Sequence, residues 1–158
     1  MNNTQKQLVF YLRLAMGWVL FYAGVTKILD PDWSSAGYMG GAKTFSGLFD
    51  WLLQPNILPV VDFLNEWGLT LLGLALMAGI AVRLSTTLGA ILMLLYYFPV
   101  LDFPFVAEHS YIIDEHIIYA LVLLFLGAIK AGQFHSLQRW FMGLPFLQKQ
   151  EKLRHWLR

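Results

Sequence analysis

Four long apolar segments constrain this 158-residue chain more than any other feature. A helix needs about 20 mainly apolar residues to cross the hydrocarbon core of a bilayer. The segments cover residues 8–29, 58–82, 84–101 and 111–131. Composition agrees, because only 13% of the residues are charged, against about 25% in an ordinary soluble domain. The sequence therefore predicts an all-α integral membrane protein built as a four-helix transmembrane bundle.

The absence of cysteine and the near-neutral charge exclude several classes of function. Without cysteine, the chain has no disulfide, no thiolate nucleophile and no cysteine-ligated metal. Its net charge of +1 gives no overall basic field for nucleic acid. Redox chemistry in such a chain requires a bound partner, a membrane quinone or a non-thiol cofactor, and we expect no covalent cofactor.

Lysine and arginine near the segment ends predict the orientation, because cytoplasmic loops carry an excess of these residues. One side holds Lys6, Arg83 and a basic tail, and the other holds Lys27 and Lys43 among several acidic residues. We therefore predict cytoplasmic N- and C-termini and two outward loops. A cleaved signal peptide is disfavoured, since Arg13 interrupts the first segment and no A-x-A site follows.

The first outward loop, 30–57, and the tail, 136–158, carry apolar residues outside the four segments. The loop is apolar enough to lie in the interface or to fold back toward the bundle, and Trp33, Trp51 and Trp67 fit an aromatic belt. The tail is basic and aromatic, which predicts an amphipathic segment that binds lipid at the cytoplasmic surface. Two units follow, a membrane domain over 1–135 and the tail.

Polar and small residues form stripes on the predicted helices, at the spacing that places them on one helix face. Small residues in such a stripe let a neighbouring helix approach closely. We expect the polar stripes to face inward. The stripes are Arg13, Gly17, Gly24 and Lys27; Asp62, Glu66, Thr70, Gly73 and Met77; Glu115 and Tyr119; and His116, Ala120 and Gly127.

Ionisable residues within the segments rarely face lipid, because burying a charge there is costly. Those near the outer helix ends are Lys27, Asp62, Glu66, Asp114, Glu115 and His116, and those near the cytoplasmic ends are Arg13, Arg83 and Lys130. The outer set mixes cations and carboxylates in a partly desolvated setting, which suits proton transfer or anion capture. The structural alternative is a buried Lys27–Glu66 pair that fixes helix register without chemistry.

We expect no metal site in this set. Adjacent Glu115 and His116 point about 100° apart on a helix and do not naturally chelate one ion together. A second histidine for haem ligation is missing from the segments.

Two polar pairs outside this set have structural interpretations. We interpret Ser34-Ser35 as the first turn of a loop helix capped by Asp32. Tyr96-Tyr97 is typical of interfacial packing.

Several sequence elements resemble the DoxX/DoxD family of small four-helix membrane proteins. The resemblance covers roughly residues 8–135. The elements that carry it are Leu12-Arg13-Leu14-Ala15-Met16-Gly17-Trp18, Phe21, Ala23-Gly24, Lys27, Asp30-Pro31, Trp33-Ser34-Ser35-Ala36-Gly37-Tyr38, Glu66, Gly68, Leu72-Gly73, Gly79 and Arg83-Leu84.

The resemblance implies a protein of the prokaryotic inner membrane. The DoxD-type member is the membrane subunit of thiosulfate:quinone oxidoreductase, which joins two thiosulfates to tetrathionate and passes electrons to quinone. Other members are linked to oxidative-stress complexes.

On the enzyme interpretation, Glu66, Glu115 and His116 are catalytic and exchange protons. Lys27, Trp33 and Asp114 bind substrate, Lys27 by attracting the anion. Arg13 and Arg83 are structural charges. Quinone enters between helices near Trp18, Trp33 or Trp67.

The alternative function is a non-catalytic scaffold that anchors a soluble redox or oxidative-stress enzyme through its tail. A transporter is disfavoured, because four short spans show no inverted repeat. The partners expected are membrane lipid, quinone, a companion redox subunit and further copies of the chain.

Overall fold

Six α-helices form most of the regular structure in residues 1–137, the part of the chain that the structure, a computed structural model, describes. The predicted tail, 136–158, therefore lies almost wholly outside the described residues. The helices are α1 (Asn3–Ile28), α2 (Ala36–Met39), α3 (Ser46–Leu52), α4 (Leu58–Ala78), α5 (Val82–Val100) and α6 (Glu115–Ala128). An antiparallel hairpin, β1 (Phe105–Ala107) and β2 (Ser110–Tyr111), precedes α6, and a 3₁₀ turn (Ala131–Gln133) follows it.

The first helix begins and ends at signals that the sequence carries. Asn2 and Gln5 form a capping box in which each side chain accepts a hydrogen bond of 2.8 Å from the other residue's backbone N–H. The helix ends at Ile28, just before Asp30-Pro31, where proline disfavours further helix. The predicted end of this segment is confirmed.

Close packing of α1 against α4 depends on glycines in the facing stripes. A Cβ atom on Gly17 would lie 2.9 Å from the backbone nitrogen of Met77, and one on Gly24 would lie 2.7 Å from the carbonyl oxygen of Glu66. A Cβ on Gly73 would lie 2.6 Å from the carbonyl oxygen of Gly17. The prediction that small residues in these stripes let a neighbouring helix approach closely is confirmed, and the structure shows that the two stripes face each other.

The bundle is completed by α5 and α6, which pack against each other, while α5 also contacts α4. Buried leucines from three of the helices meet in its core: Leu20, Leu69, Leu76, Leu123 and Leu126. Many other large apolar side chains are exposed, among them Leu71, Leu121 and Leu124. An apolar exterior around an apolar core is typical of a protein that lipid surrounds.

The bounds of two predicted segments are wrong. The segment predicted over 58–82 ends as a helix at Ala78, and Gly79, with φ 70°, starts the turn into α5. The segment predicted over 111–131 is helical only from Glu115 to Ala128, because Tyr111 belongs to the hairpin. Three helices, α1, α4 and α5, are long and apolar enough to cross a membrane, whereas α6 has 14 residues and spans about 21 Å.

The loop between α1 and α4 folds back onto the bundle, as its apolar residues predicted. Phe49 and Met39 are buried, and the Thr44 hydroxyl donates a 2.7 Å hydrogen bond to the carbonyl oxygen of Leu101. We call the end of the bundle that carries this loop and the hairpin the loop end. The opposite end, which carries residue 1 and the 3₁₀ turn, is the terminal end.

Candidate functional site

Lys27 lies at the loop end, where the close α1–α4 approach at Gly24 brings it beside α4. Its Nζ donates hydrogen bonds to Oδ1 of Asn65, at 2.9 Å, and to the Tyr96 hydroxyl, which itself donates to Oδ1 of Asn65 at 2.6 Å. We call Lys27, Asn65 and Tyr96 the polar cluster. It joins α1, α4 and α5 through side chains that have little contact with solvent.

Aromatic rings cover the ammonium of Lys27. Its Nζ lies 4.7 Å from the ring centroid of Trp33 and 4.8 Å from that of Tyr96, within the range of cation–π attraction. Trp33 therefore contacts Lys27 directly, which places one predicted substrate-binding residue against another.

The alternative Lys27–Glu66 ion pair is wrong. Within residues 1–137 the ion pairs are Lys43–Asp102 and Asp114–His116. Glu66 is half-buried and near enough to act on Lys27 through its charge, but the hydrogen bonds of Lys27 go to neutral groups. The groups that accept hydrogen bonds from Lys27 carry no negative charge.

Asp114 and His116 form a second polar group beside Tyr96. One carboxylate oxygen of Asp114 accepts from the backbone N–H groups of His116 and Ile117, which caps α6, and the other lies 2.6 Å from Nδ1 of His116. The imidazole stacks on the Tyr96 ring with centroids 5.8 Å apart. Asp114 thus contacts His116 and the helix start, and fixes the ring against the polar cluster.

The next residue along α6 does not join this group. Glu115 is exposed, so the expectation of an inward position is wrong for this residue, whereas Tyr119 of the same stripe packs against the core. Adjacent helical residues point in different directions, and His116 is the one that turns toward the bundle.

Asp62 holds the loop onto α4. Its carboxylate accepts from the Ser34 hydroxyl at 2.9 Å, from the Ser35 backbone N–H at 2.9 Å and from the Ser35 hydroxyl. The interpretation that Asp32 caps the loop helix is wrong, because α2 begins only after Ser35. Ser34 and Ser35 form their hydrogen bonds with Asp62 instead. The inward position predicted for Asp62 serves this attachment.

A cavity of about 240 Å³ lies between the loop and helices α4 and α5. Most of its wall is apolar, with Phe49, Leu52 and Leu92 among the lining residues. The polar lining residues are Ser35, Tyr38, Asn65 and Tyr96. Asn65 and Tyr96 of the polar cluster therefore add polar groups to an otherwise apolar cavity, an arrangement typical of sites for small organic ligands.

Tyr38 links the loop to α5 at the edge of this cavity. Its hydroxyl donates a 2.8 Å hydrogen bond to the carbonyl oxygen of Tyr96. Partial burial raises the pKa of Tyr38 to about 12, and the negative charges of Asp114 and Glu115 add to the shift. Tyr38 is therefore a hydrogen-bond donor throughout the neutral pH range.

Arg13 lies far from this site, at the terminal end. It is fully buried, and its guanidinium donates to the carbonyl oxygens of Ala131, at 3.1 Å, and His135, at 2.9 Å. Arg83 is exposed at the start of α5. Neither arginine contacts the cavity, and Arg13 ties α1 to the chain that follows α6.

Two central residues of the site, Asn65 and Tyr96, were not predicted. Both are uncharged, so an argument from the cost of burying charge passes over them. The signal for Tyr96 is its spacing from Gly89 and Met93, which are buried on the inner face of α5. The signal for Asn65 is a polar amide in an apolar helix, one residue before Glu66.

Fold and site together define a small helical membrane protein with an apolar cavity whose wall includes two polar side chains, Asn65 and Tyr96, held by a partly buried lysine. A family model named DoxX matches residues 8–101, which run from α1 through the end of α5 and include the whole polar cluster. The match covers more than half of the chain, and the chain belongs to the DoxX family. No curated protein and no solved structure matches it.

Proposed function

We propose that this DoxX-family membrane protein binds the head group of a membrane quinone in the cavity and takes part in its reduction. The observation that carries the proposal is the apolar cavity of about 240 Å³ with Asn65 and Tyr96 in its wall, both hydrogen-bonded to Lys27 behind them. A quinone head is a flat apolar ring with carbonyl oxygens, which suits apolar walls and a few polar groups. The cavity is large enough for such a ring, and the isoprenoid tail would follow the lipid-facing surface.

Reduction of a quinone consumes two electrons and two protons, and it builds negative charge on the carbonyl oxygens. A fixed cation and hydrogen-bond donors close to that charge stabilise it. Lys27 supplies a positive charge behind the cavity wall, where it is hydrogen-bonded to Asn65 and Tyr96. We assign proton exchange with Lys27 and Tyr96 to two residues. One is Glu66, and the other is His116, which Asp114 holds in place.

The electron donor in this proposal is a small sulfur anion such as thiosulfate. Two thiosulfates give up two electrons as the sulfur–sulfur bond of tetrathionate forms, and the quinone takes up those electrons with two protons. The charges at the loop end favour capture of the anion by another protein rather than by this surface. Lys43 is already paired with Asp102, and Lys27 is covered by aromatic rings, while Asp30, Asp32, Asp50 and Glu108 are exposed.

We therefore propose that a companion subunit brings the sulfur anion to the loop end. Like charges repel a dianion from an acidic surface, and the chain's free positive charge there is small. Turnover by the purified chain alone would then be slow, and the quinone site would remain measurable by binding.

The test is quinone binding to two leucine variants of α5. Leu92 lines the cavity, whereas Leu88 lies one turn earlier, faces outward and does not line it. Decylubiquinone is titrated by calorimetry into nanodiscs that contain wild-type protein, Leu92→Trp or Leu88→Trp, with empty nanodiscs as the blank. We expect Leu92→Trp to weaken binding at least about tenfold, because the indole fills the cavity, and Leu88→Trp to bind as the wild type does. Equal binding by all three proteins would place the quinone elsewhere.

The electron donor has its own test. Reduction of decylubiquinone is followed with thiosulfate, sulfite or sulfide as donor, for the wild type and for Glu66→Gln. Activity that Glu66→Gln lacks supports a proton-transfer role for Glu66. Quinone binding without reduction by any of the three anions assigns their oxidation to the companion subunit.

A scaffold is the second candidate, and Arg13 is the observation in its favour. By holding the carbonyl oxygens of Ala131 and His135, Arg13 fixes the chain that follows α6 against α1. A partner that co-purifies with the full chain, and is lost on deletion of residues 138–158, supports this function.

A further inference from the structure

The amide of Asn65 has only one chemically consistent orientation. One of the two outer atoms of the amide faces the ammonium of Lys27. A lysine ammonium donates hydrogen bonds but accepts none. The atom 2.9 Å from Nζ must therefore be the carbonyl oxygen Oδ1, which also accepts from the Tyr96 hydroxyl. The amide nitrogen Nδ2 consequently points away from Lys27.

Nδ2 of Asn65 makes no hydrogen bond with any residue from 1 to 137, although Asn65 is only 9% exposed. Nδ2 also keeps some accessible surface. Among the described residues, the side-chain nitrogen that has neither a hydrogen-bond partner nor accessible surface is Nε of Arg13, and Nδ2 of Asn65 is not such an atom. Asn65 lines the cavity, and since its Oδ1 is taken by Lys27 and Tyr96, we infer that Nδ2 is the atom that it presents there.

The other polar side chains of the cavity wall have already used their donors. The Ser35 hydroxyl donates to Asp62, and the Tyr38 hydroxyl donates to the carbonyl oxygen of Tyr96. The Tyr96 hydroxyl donates to Asn65. Nδ2 of Asn65 is thus the one side-chain donor of the described cavity wall that is left for a ligand, and an unpaired amide donor in an apolar cavity is unfavourable.

We propose that Asn65 selects ligands by donating a hydrogen bond from Nδ2 to a ring carbonyl oxygen. The inference rests on the proposed function and adds the specificity-determining atom. It predicts that the cavity prefers a flat ring with a carbonyl group, such as a quinone, over an apolar molecule of the same shape. Lys27 and Tyr96 position the amide and hold its oxygen away from the ligand.

The experiment pairs a protein change with a ligand change. Asn65→Asp keeps the shape and the acceptor for Lys27 and replaces the donor with an oxygen. The ligands are menadione and 2-methylnaphthalene, which has the same rings without carbonyl groups, and both are titrated in nanodiscs against an empty-nanodisc blank. Leu92→Trp is titrated in parallel, and Asn65→Leu is a second variant that removes both amide groups.

We expect wild-type protein to bind menadione about tenfold more tightly than 2-methylnaphthalene, which corresponds to one net hydrogen bond. Both Asn65 variants should lose that preference while they bind the hydrocarbon as the wild type does. The infrared carbonyl stretch of ¹³C-labelled menadione should lie at lower frequency when bound to wild type than when bound to either variant.

Each contrary result has a separate meaning. If the variants keep the preference and the infrared shift, the role of Asn65 is overturned. The same holds if they lose both ligands equally, because Asn65 is then only structural. The Leu92→Trp variant tests the quinone site separately from the role of Asn65. If Leu92→Trp abolishes binding, the proposed quinone site stands even where the role of Asn65 is overturned. Unchanged binding by Leu92→Trp overturns the quinone site itself.

Discussion

At the scale of single residues, Lys27 carries a positive charge that neutral groups surround. The Asn65 oxygen, the Tyr96 hydroxyl and two ring faces offset part of the cost of removing the ammonium from water. A carboxylate partner would cancel the charge, and these groups do not. Lys27 is therefore able to stabilise negative charge that develops on a bound ligand.

Replacing Lys27 with methionine should lower the rate of quinone reduction at least about tenfold, because the positive charge behind Asn65 and Tyr96 is lost. Quinone binding is measured beside the rate, because Lys27 also positions the amide of Asn65. Lys43→Met is the matched control, because Lys43 is exposed and paired with Asp102. The measurement is kcat for decylubiquinone with the sulfur anion and the companion subunit present. A Lys27→Met protein with wild-type kcat would remove Lys27 from the reaction.

Tyr38 gives a prediction for alkaline pH. The pKa of Tyr38 is about 12 in the folded chain and about 10 in an unfolded one. The folded state therefore holds the proton more tightly, so the contribution of Tyr38 to stability is complete below pH 10 and is lost as the pH rises to 12. Subtracting the absorbance titration at 295 nm of Tyr38→Phe from that of wild type should leave a curve with a midpoint near pH 12. A midpoint near 10 would contradict the burial of Tyr38 near the charges of Asp114 and Glu115.

The sequence predicts charged residues of the site better than neutral ones. Lys27 and His116 follow from the rule that ionisable groups in apolar helices face inward. Asn65 and Tyr96 do not, because an amide and a phenol tolerate many positions near a membrane interface. Whether Glu66 and His116 exchange protons remains a prediction.

At the scale of helices, glycine positions decide where the site forms. Gly24 contacts the backbone of α4. This contact places Lys27, which lies one turn after Gly24 on α1, beside Asn65 of α4. A larger residue in this interface would separate the helices and with them the members of the polar cluster.

Gly73→Ala should destabilise the protein by about 1–3 kcal/mol, the usual cost of overpacking a filled interface. The added Cβ would lie 2.6 Å from the carbonyl oxygen of Gly17 and 2.7 Å from Cα of Phe21. Gly68→Ala is the control in the same helix, because its Cβ meets no other atom within 4 Å. Alanine there should leave stability unchanged or raise it by up to about 1 kcal/mol. Thermal unfolding in detergent gives the comparison, and equal melting temperatures would refute the close contact.

Asp62→Asn should loosen the loop over the cavity. An asparagine keeps one acceptor for Ser34 and Ser35 but loses the charge, and hydrogen bonds to charged groups contribute about 1.5–3 kcal/mol. Backbone hydrogen exchange of residues 34–39 should become at least about tenfold faster. Asp50→Asn is the control, since Asp50 is exposed on α3. Unchanged exchange in Asp62→Asn would show that other contacts hold the loop.

The start of α6 illustrates why helix bounds are hard to predict. Tyr111, Ile112 and Ile113 continue the apolar pattern of α6, so hydropathy alone extends the helix back to residue 111. The structure gives Tyr111 to the hairpin and Ile112 a φ of 60°. The available signal is Asp114, a residue favoured at helix N-caps, with His116 and Ile117 as its bonded partners.

At the scale of the whole molecule, hydropathy predicts the fold class and leaves the cavity unseen. Apolar segments of sufficient length establish helices in a membrane. The cavity depends instead on how the loop folds back over α4 and α5, through hydrogen bonds from Ser34, Ser35 and Tyr38 to distant residues. Such long-range contacts have no periodic signal in the sequence. The orientation of the termini remains a prediction.

The residues of the candidate site come from two separate parts of the chain. The match to the DoxX family covers the cavity walls and the polar cluster, and it ends at residue 101. Asp114 and His116 lie beyond that match, on α6. A function of the cavity therefore belongs to the part of the chain that the family model describes, and the imidazole is brought to it by a separate helix.

The most direct test of the central claim is photoaffinity labelling of the wild-type chain in nanodiscs with an azidoquinone, followed by mass spectrometry of the labelled peptides. We predict labels on the cavity wall, within residues 35–52, 61–65 and 92–96, and their suppression by excess decylubiquinone. Labels confined to the lipid-facing surface around Leu71 and Leu121, or labelling that decylubiquinone does not reduce, would contradict the assignment of a quinone site to this cavity.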